Sequence, residues 1–371
     1  MGEERTSVGL DVHARSVSAA AIDGTTGELV KTRLSPGTEP IVAWLADLPG
    51  PVAVAYEAGP TGFGLARALT AAGMECTVAA PSKIVRPAGD RIKTDERDAV
   101  LLARLLRMGE LTPVRVPTPA QESARDLVRA REDARGDLMR VRHRISKLLL
   151  RHGQVYTGGG AWTVKHEQWL KARHLDGVGT RAAFDADFET MIMTRDRRDR
   201  LEQKIGQLAA DSEFTDVTRA LCCLRGISTL TGFALAVEIG DWQRFTGASI
   251  GAYLGLVPGE HSSGSSRRLG PITKTGNNHA RRLLVEAAWH HKPLYRPGPT
   301  LRARWAQATP AARTRAHAGN QRLHDRWVTL ALRRKTHTVS CVAIARELAG
   351  WCWSLATLNL ATEPGTAAMT S

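Results

Sequence analysis

Residues 7–34 read SVGLDVHARSVSAAAIDGTTGELVKTRL, and this stretch decides the fold of the first hundred residues. Short apolar runs at 7–11 and 17–22 predict two strands, residues 24–27 are typical of a turn, and 28–34 predict a third strand. Beyond them, helical patterns alternate with buried-strand patterns, with helices at 41–48 and 62–72 and strands at 51–56 and 76–80. A hairpin followed by strand–helix alternation predicts an α/β domain, in which helices cover the faces of a mixed sheet.

The middle of the chain has a helical rather than an alternating pattern. From 119 to about 151, apolar residues fall on one face of an arginine-rich segment, and 185–208 resume a charged helical pattern. We expect a helical or coiled-coil linker domain here, suited to dimerisation. The last 20 residues are expected to fray. The predicted division is 1–118, 119–215, 216–355 and a tail at 356–371.

The charge of the chain is large and unevenly distributed. With 51 Lys plus Arg against 37 Asp plus Glu, the 371 residues carry a formal net charge of +14. Residues 261–340 alone contain 16 basic side chains but only two acids, Glu286 and Asp325. Such density is typical of a surface that meets a polyanion, although a solvated basic surface is the alternative. Residues 224–227 (LRGI) fit either a phosphate-binding helix-hairpin-helix turn or an ordinary core turn.

Several classes of protein are excluded by composition. No apolar run approaches the length of a membrane span, and the N-terminus does not resemble a signal peptide, so we expect a cytoplasmic protein without a membrane partner. The five cysteines have no C-x-x-C spacing, which argues against a thiolate zinc site or a disulfide framework. No G-x-x-x-x-G-K-[ST] loop is present.

Four acids form a candidate metal site. Asp11 ends the first predicted strand, Glu57 follows a buried strand, and Asp95 and Asp98 open a helix predicted at 99–107, on one face of it. Separately, these acids could serve as helix caps or complement a helix dipole. Together, carboxylates at strand ends and a helix start indicate a site for Mg²⁺ or Mn²⁺. An actin-like ATPase is the rival, but Asp11 is followed by Val-His-Ala-Arg instead of a glycine-rich turn.

A second candidate site lies in a loop rich in Ser and Gly. Residues 255–268 read GLVPGEHSSGSSRR and lead into a basic segment. A hydroxyl beside cations could attack a phosphodiester, although such loops are more often linkers. The candidate phosphate-binding side chains are Arg267, Arg268, Lys274, Arg281 and Arg282.

These motifs together resemble the DEDD transposases of the insertion-sequence 110 family, which include the Piv-type invertases. The resemblance rests on GLDVH (9–13), YEAGPTG (56–62), KTDERDA (93–99), LRGI (224–227), EIGDWQRF (238–245), YLGLVP (253–258), SSG (262–264) and ITKTGNNHARRLL (272–284). It covers roughly residues 7–115 and 218–290, with every motif in the expected order. The segment after about residue 293 matches no motif of the family.

The resemblance implies a fold and a reaction. The N-terminal domain is expected to be RuvC-like (RNase H-like), with Asp11, Glu57, Asp95 and Asp98 binding divalent metal. The C-terminal transposase domain is expected to be mainly helical, with Ser263 as the nucleophile that becomes joined to DNA. The adjacent Ser262 is the alternative nucleophile. Family members act as homodimers that pair into tetramers, and a noncoding bridge RNA guides donor and target DNA.

We therefore predict a metal-dependent, RNA-guided DNA recombinase that mobilises its own insertion element. One alternative keeps the fold but uses metal-activated water, as in a junction-resolving nuclease. The other is an inactive, nucleic-acid-binding relic of a transposase.

Overall fold

The structure is a computed structural model that describes residues 5–85, 94–260 and 268–358. It contains two compact units, Met1–Thr118 and Pro119–Ser371. The first is a mixed α/β unit and the second is mainly helical, which confirms the predicted fold class at this level. The further division at residue 215 stays a prediction.

The N-terminal unit is built on a five-stranded sheet of order β3-β2-β1-β4-β5. Strands β1, β2 and β3 are antiparallel neighbours, whereas β4 runs parallel to both β1 and β5. The elements are β1 Thr6–Val12, β2 Val17–Ile22, β3 Leu29–Leu34, α1 Thr38–Ala46, β4 Val52–Glu57, α2 Gly64–Ala71, β5 Glu75–Ala79 and α3 Asp95–Arg107. The helix predicted at 99–107 thus begins four residues earlier, at Asp95, because Thr94 supplies an N-cap.

The two faces of the sheet are covered differently because alternate residues of a strand point to opposite sides. On one face, Leu10 and Tyr56 pack with Ile41 and Leu45 of α1 and with residues of α2. On the other face, the small residues Ala53 and Ala55 of β4 pack against Leu106 of α3. Helix α3 therefore lies on the face opposite α1 and α2.

The C-terminal unit begins with a long helical hairpin. Helices α4 (Pro119–Arg151) and α6 (Val178–Ala210) have 33 residues each, and the short α5 (Val164–Lys171) lies between them in sequence. Leu138, Val141 and Ile145 of α4 pack with Phe184 and Met191 of α6. This confirms that residues 119–151 form one long amphipathic helix.

The remaining elements surround a second apolar core. They are α7 Thr215–Leu221, α8 Thr229–Ile239, α9 Ser249–Tyr253, β6 Pro258–Glu260, β7 Leu269–Ile272, α10 Asn278–Ala288, α11 Pro299–Ala306, α12 Pro310–Leu332 and α13 His337–Ala356. The expectation that the last 20 residues fray is wrong for 352–356, since Cys352 and Leu355 are buried in α13. Residues 359–371 lie outside the described residues.

Candidate functional site

Asp11 and Glu57 lie side by side because of the strand register. In the parallel pair β1–β4, Leu10 is the register partner of Tyr56. The next residue of each strand is an acid, Asp11 on β1 and Glu57 on β4. Leu10 and Tyr56 are buried on the α1–α2 face, so the two acids point to the opposite face, which carries α3.

Gly9 explains how α3 approaches this face so closely. A Cβ atom at Gly9 would lie 2.1 Å from the Ala99 carbonyl oxygen and 2.5 Å from the Ala103 amide nitrogen, both backbone atoms of α3. Any side chain here would push the helix away. Gly9 and Asp11 are two residues apart on β1, so both lie on the face of the sheet that carries α3. The Asp11 carboxylate is therefore next to the surface on which α3 packs.

The first turn of α3 brings a third acid to Asp11. The Thr94 hydroxyl accepts a hydrogen bond from the Arg97 amide, and this cap starts the helix with Asp95. Asp11, His13 and Asp95 each offer a ligand atom, and these atoms lie within 4.8 Å of one another. His13 Nε2 lies 3.2 Å from Asp11 Oδ2 and 3.7 Å from Asp95 Oδ1.

Burial and neighbouring charges together set the pKa of Asp11. Burial raises the pKa of Asp11, the charge and hydrogen bond of His13 lower it, and the charges of Asp95 and Asp98 raise it, with a net increase. Asp98 is therefore close enough to act on Asp11, while Glu57 is placed beside Asp11 by register; both are half-buried. A divalent cation would relieve this repulsion, and the mainly oxygen donor set suits Mg²⁺ or Mn²⁺.

His13 lies in one group with Asp11 and Asp95. The sequence pattern did not indicate it as a site residue, although it lies within the GLDVH motif. The available signal was its spacing from Asp11, since residues i and i+2 of an extended strand end project to the same side. Beside Asp95, a polar cavity of about 600 Å³ is lined by cationic side chains of β3. There Lys31 pairs with Glu96 at 2.7 Å, and Arg33 donates to the Ser16 hydroxyl at 3.0 Å.

The serine loop joins two short antiparallel strands of the C-terminal unit. Pro258 of β6 pairs with Ile272 of β7, and Glu260 pairs with Leu269. Ser262, Ser263 and Arg267 lie outside the described residues. In sequence, Arg268 directly precedes β7 and Lys274 follows it by two residues, and both side chains are exposed.

Two other predicted phosphate ligands already make contacts within the protein. Arg281 Nη1 donates to the carbonyl oxygens of Leu254 (2.9 Å) and Thr275 (2.7 Å). Arg282 forms ion pairs of 2.7 Å with Glu132 and with Glu286. Arg281 thus supports the turns around Leu254 and Thr275, and Arg282 joins α10 to α4. Contact of either arginine with nucleic acid stays a prediction.

Comparison with known proteins identifies the chain. A family model for DEDD transposases of the IS110 type matches residues 8–153, and a model described as transposase of the IS116/IS110/IS902 family matches residues 218–306. The chain belongs to the IS110 family of transposases. It is 41% identical over 302 residues to a protein of Sinorhizobium fredii (strain NGR234) that is named as transposase y4qE. The aligned region covers 81% of this chain and 74% of that protein. It is 29% identical over 348 residues to the transposase for insertion sequence element IS1533 of Leptospira borgpetersenii, covering 90% and 99%.

As a member of this family, the chain is a transposase, an enzyme that acts on DNA. The four predicted metal-binding acids lie within the first matched segment, and Ser263 and the five predicted phosphate ligands lie within the second. Residues 154–217 and those after 306 are covered by neither model. None of the helices in the described part of the transposase is long and apolar enough to cross a membrane.

A buried carboxylate supports the transposase helix that follows the serine loop. Glu238 is 1% exposed and accepts hydrogen bonds from Arg129 (Nε and Nη2, both 3.1 Å), Asn277 (2.7 Å) and His279 (3.2 Å). Asn277 also caps α10 through the Ala280 amide. Burial alone would raise the pKa of Glu238, but its partners lower it to about 2. The signal for this network was an acid within the apolar run 233–239, which requires partners when buried.

The LRGI turn is part of the protein core. The Arg225 amide donates to Asn320 Oδ1 at 2.8 Å, and a Cβ at Gly226 would lie 2.4 Å from the Ala287 carbonyl oxygen. Gly226 has φ +85°, which explains its glycine. Because the Arg225 amide is used internally, the structure favours the core turn over a phosphate-binding hairpin at this position.

Proposed function

We propose that this transposase mobilises its own insertion sequence as a metal-dependent DNA recombinase with a serine nucleophile. The observation that carries the proposal is the convergence of Asp11, His13 and Asp95 at the carboxyl end of the central strand β1. Glu57 lies beside Asp11 in the register of β1 and β4. Five strands in the order β3-β2-β1-β4-β5, with the acids at the ends of β1 and β4, are consistent with the RuvC-like fold that the resemblance implies.

In this proposal Asp11, Glu57, Asp95 and Asp98 hold Mg²⁺ or Mn²⁺. Their fit to such an ion rests on geometry, because Asp11 and Asp95 converge and Glu57 lies beside Asp11 in the strand register, which gives a mainly oxygen donor set. A bound divalent ion would supply positive charge to a reacting phosphodiester. The carboxylates of Asp11, Glu57, Asp95 and Asp98 would hold the ion in place. His13 favours the ionised state of Asp11.

The proposed bond change occurs at Ser263. Its Oγ attacks the scissile phosphorus, an Oγ–P bond forms, and the P–O bond to one deoxyribose breaks. The hydroxyl proton leaves to a base or solvent, and the departing deoxyribose oxygen takes up a proton. Arg267, Arg268 and Lys274 would bind the phosphate backbone around the reacting group. Strand exchange then reverses the step, when a deoxyribose hydroxyl attacks the phosphoserine.

The partners belong to the same proposal. The family resemblance supports a bridge RNA that selects donor and target DNA, so base-reading side chains are not required. It also supports homodimers that pair into tetramers, with the α4–α6 hairpin (domain 119–215) as a dimerisation element. The basic segment 261–340 is consistent with extensive phosphate contact, and the site of action would be the cytoplasm.

The metal role is tested with Asp11→Asn on a labelled DNA carrying the element junction, with its flanking RNA and Mg²⁺. We expect loss of strand cleavage with unchanged DNA binding. Asp47→Asn is the matched control, because Asp47 is exposed and ends α1, which packs on the opposite face of the sheet. Normal Mg²⁺-dependent cleavage by Asp11→Asn would overturn the metal role.

The nucleophile is tested by trapping. A nicked suicide substrate should leave a protein–DNA adduct with the wild type and with Ser262→Ala, but none with Ser263→Ala. Strand cleavage without any adduct would instead favour a junction-resolving nuclease that uses water. Binding without cleavage or adduct, with Mg²⁺ and RNA supplied, would favour the inactive relic.

A further inference from the structure

A cavity of about 480 Å³ lies between α12 and α13, beside the turn that precedes α9. We name it the α12–α13 cavity. Its defining side chains are Arg315, Arg326, Arg346, Glu347, Trp351 and Trp353. Most of this lining follows residue 306, where the second family match ends.

The cavity is strongly cationic. Arg315 and Arg326 lie eleven residues apart on α12, which places them on one helix face, three turns apart. Glu347 is the one acid in its lining, and it already faces Arg322 at 3.0 Å and Arg326 at 3.9 Å. Arg346 is exposed and has no hydrogen bond or ion pair to another residue within the described part of the chain. The cavity therefore has a surplus of positive charge that an anion can neutralise.

One wall of the cavity is flat and aromatic. The Arg315 guanidinium lies 4.8 Å from the centre of the Trp351 ring, and its Nε donates to the Ser354 hydroxyl at 2.8 Å. This bond fixes the guanidinium over the indole. A Cβ atom at Gly319 would lie 2.9 Å from two Trp351 ring atoms, so this glycine lets the indole lie against α12. The wall is thus built from packed, oriented groups.

Trp353 completes the wall from the same helix. A Cβ at Gly247 would lie 3.4 Å from the Trp353 ring, and a Cβ at Gly350 would lie 3.2 Å from the Gly247 carbonyl oxygen. These glycines allow the turn before α9 to approach α13 closely. A planar wall next to guanidinium groups that outnumber the one carboxylate of the lining matches the two parts of a nucleotide, a flat base and an anionic phosphate.

We propose that the α12–α13 cavity binds one nucleotide of a single-stranded nucleic acid, with the base on the Arg315–Trp351 wall and the phosphate at Arg326 and Arg346. A paired base cannot reach such a wall without leaving its stack, which selects against duplex. The proposal rests on the action of a transposase on nucleic acid and is independent of Ser263 and of the metal site. The strand is RNA or displaced DNA, which share this chemistry.

The test measures binding of fluorescent ten-nucleotide oligo(U) and oligo(dT) to the full chain in EDTA, by anisotropy at several NaCl concentrations. For the double variant Arg326→Gln and Arg346→Gln, which removes both proposed phosphate contacts, we expect roughly tenfold weaker binding and a salt slope reduced by about 1.4. For Trp351→Leu, we expect a loss of roughly tenfold with little change in slope. Arg200→Gln is the matched control, since Arg200 is exposed on α6, outside the basic segment 261–340, and does not line the cavity.

Further measurements keep the result decisive. If Trp351→Leu unfolds, Arg346→Gln alone decides, because Arg346 is exposed. Photocrosslinking of 4-thiouridine or 4-thiothymidine strands should label peptides of α13, and the tighter of the two strands identifies the sugar. Equal losses in Arg200→Gln, unchanged binding in all variants, or equal competition by polyglutamate would overturn the proposal. The readout is binding in EDTA without strand cleavage, so failure of the serine chemistry would leave this result intact.

Discussion

The Nε2 atom of His13 lies 3.2 Å from the Oδ2 atom of Asp11. Burial and the charges of Asp95 and Asp98 raise the pKa of Asp11, whereas His13 lowers it by charge and hydrogen bonding. His13 therefore favours the ionised carboxylate that a metal ligand must provide. A strand end that places Asp and His two residues apart thus supplies both a candidate ligand and its positioning partner.

We predict that His13→Ala slows Mg²⁺-dependent strand cleavage by about 10–100-fold, the usual cost of losing a partner of a metal ligand. His13→Gln keeps an N–H donor of similar reach and should restore part of the rate. The measurement is single-turnover cleavage on junction DNA, with Mg²⁺ titrated to saturation. Equal rates for Ala and Gln variants at every Mg²⁺ concentration would argue against a positioning role.

Gly9→Ala should destabilise the N-terminal unit by about 1–3 kcal/mol, because the new methyl group overlaps the backbone of α3. Displacement of α3 also moves Asp95 away from Asp11, so cleavage should fall with stability. Urea unfolding measures the first effect and strand cleavage the second. Gly64→Ala is the control, since a Cβ there meets no atom within 4 Å and Gly64 lies at the start of α2. Equal stability of the two variants would contradict close α3 packing at Gly9.

Much of the N-terminal unit could be predicted from sequence because its strands bury residues with a period of two. The same periodicity placed Asp11 and Glu57 at strand ends, and their proximity then required only a parallel pair. The start of α3 was misplaced because the Thr94 cap is a side-chain contact that the apolar pattern does not reveal. His13 was missed for a similar reason, since its role comes from its distance to Asp95.

The C-terminal unit was less predictable because its polar contacts join residues far apart in sequence. Glu238 is neutralised by Arg129, more than a hundred residues earlier, and by His279 on another helix. The cavity arginines of α12 look like ordinary surface charges in sequence. Their grouping with Trp351 depends on how α12 and α13 pack, which hydrophobic pattern alone does not specify.

Asn320→Leu should cost about 2–4 kcal/mol of stability. Asn320 is fully buried, accepts from the Arg225 amide and donates to the Cys223 carbonyl oxygen at 3.1 Å, so leucine strands the Arg225 N–H. The midpoint of urea unfolding, followed by tryptophan fluorescence, measures the loss. Gln321→Leu, on the exposed side of the same helix turn, should change the midpoint little. A small effect of Asn320→Leu would show that the LRGI turn holds its shape without this bond.

Glu238→Gln tests the buried network through its pH dependence. Partners of Glu238 lower its pKa from 4.5 to about 2 in the folded state, so its ionisation stabilises the fold above pH 4.5. That contribution, about 3 kcal/mol at pH 7, is lost as pH falls from about 4.5 towards 2. The variant lacks it at every pH. The gap between wild type and Glu238→Gln in thermal unfolding should therefore be largest near pH 7 and shrink by about half at pH 3.

Glu286→Gln is the control for this experiment, because Glu286 makes an exposed pair with Arg282 that contributes little. Differential scanning calorimetry at pH 7, 5, 4 and 3 follows the transition that Glu238→Gln shifts. A gap that stays constant down to pH 3 would mean that Glu238 is not ionised by its partners in the fold. A gap that closes between pH 7 and 5 would also contradict Glu238 as the source of the pH dependence. Closure only below pH 4.5 is the outcome that a buried, ionised Glu238 requires.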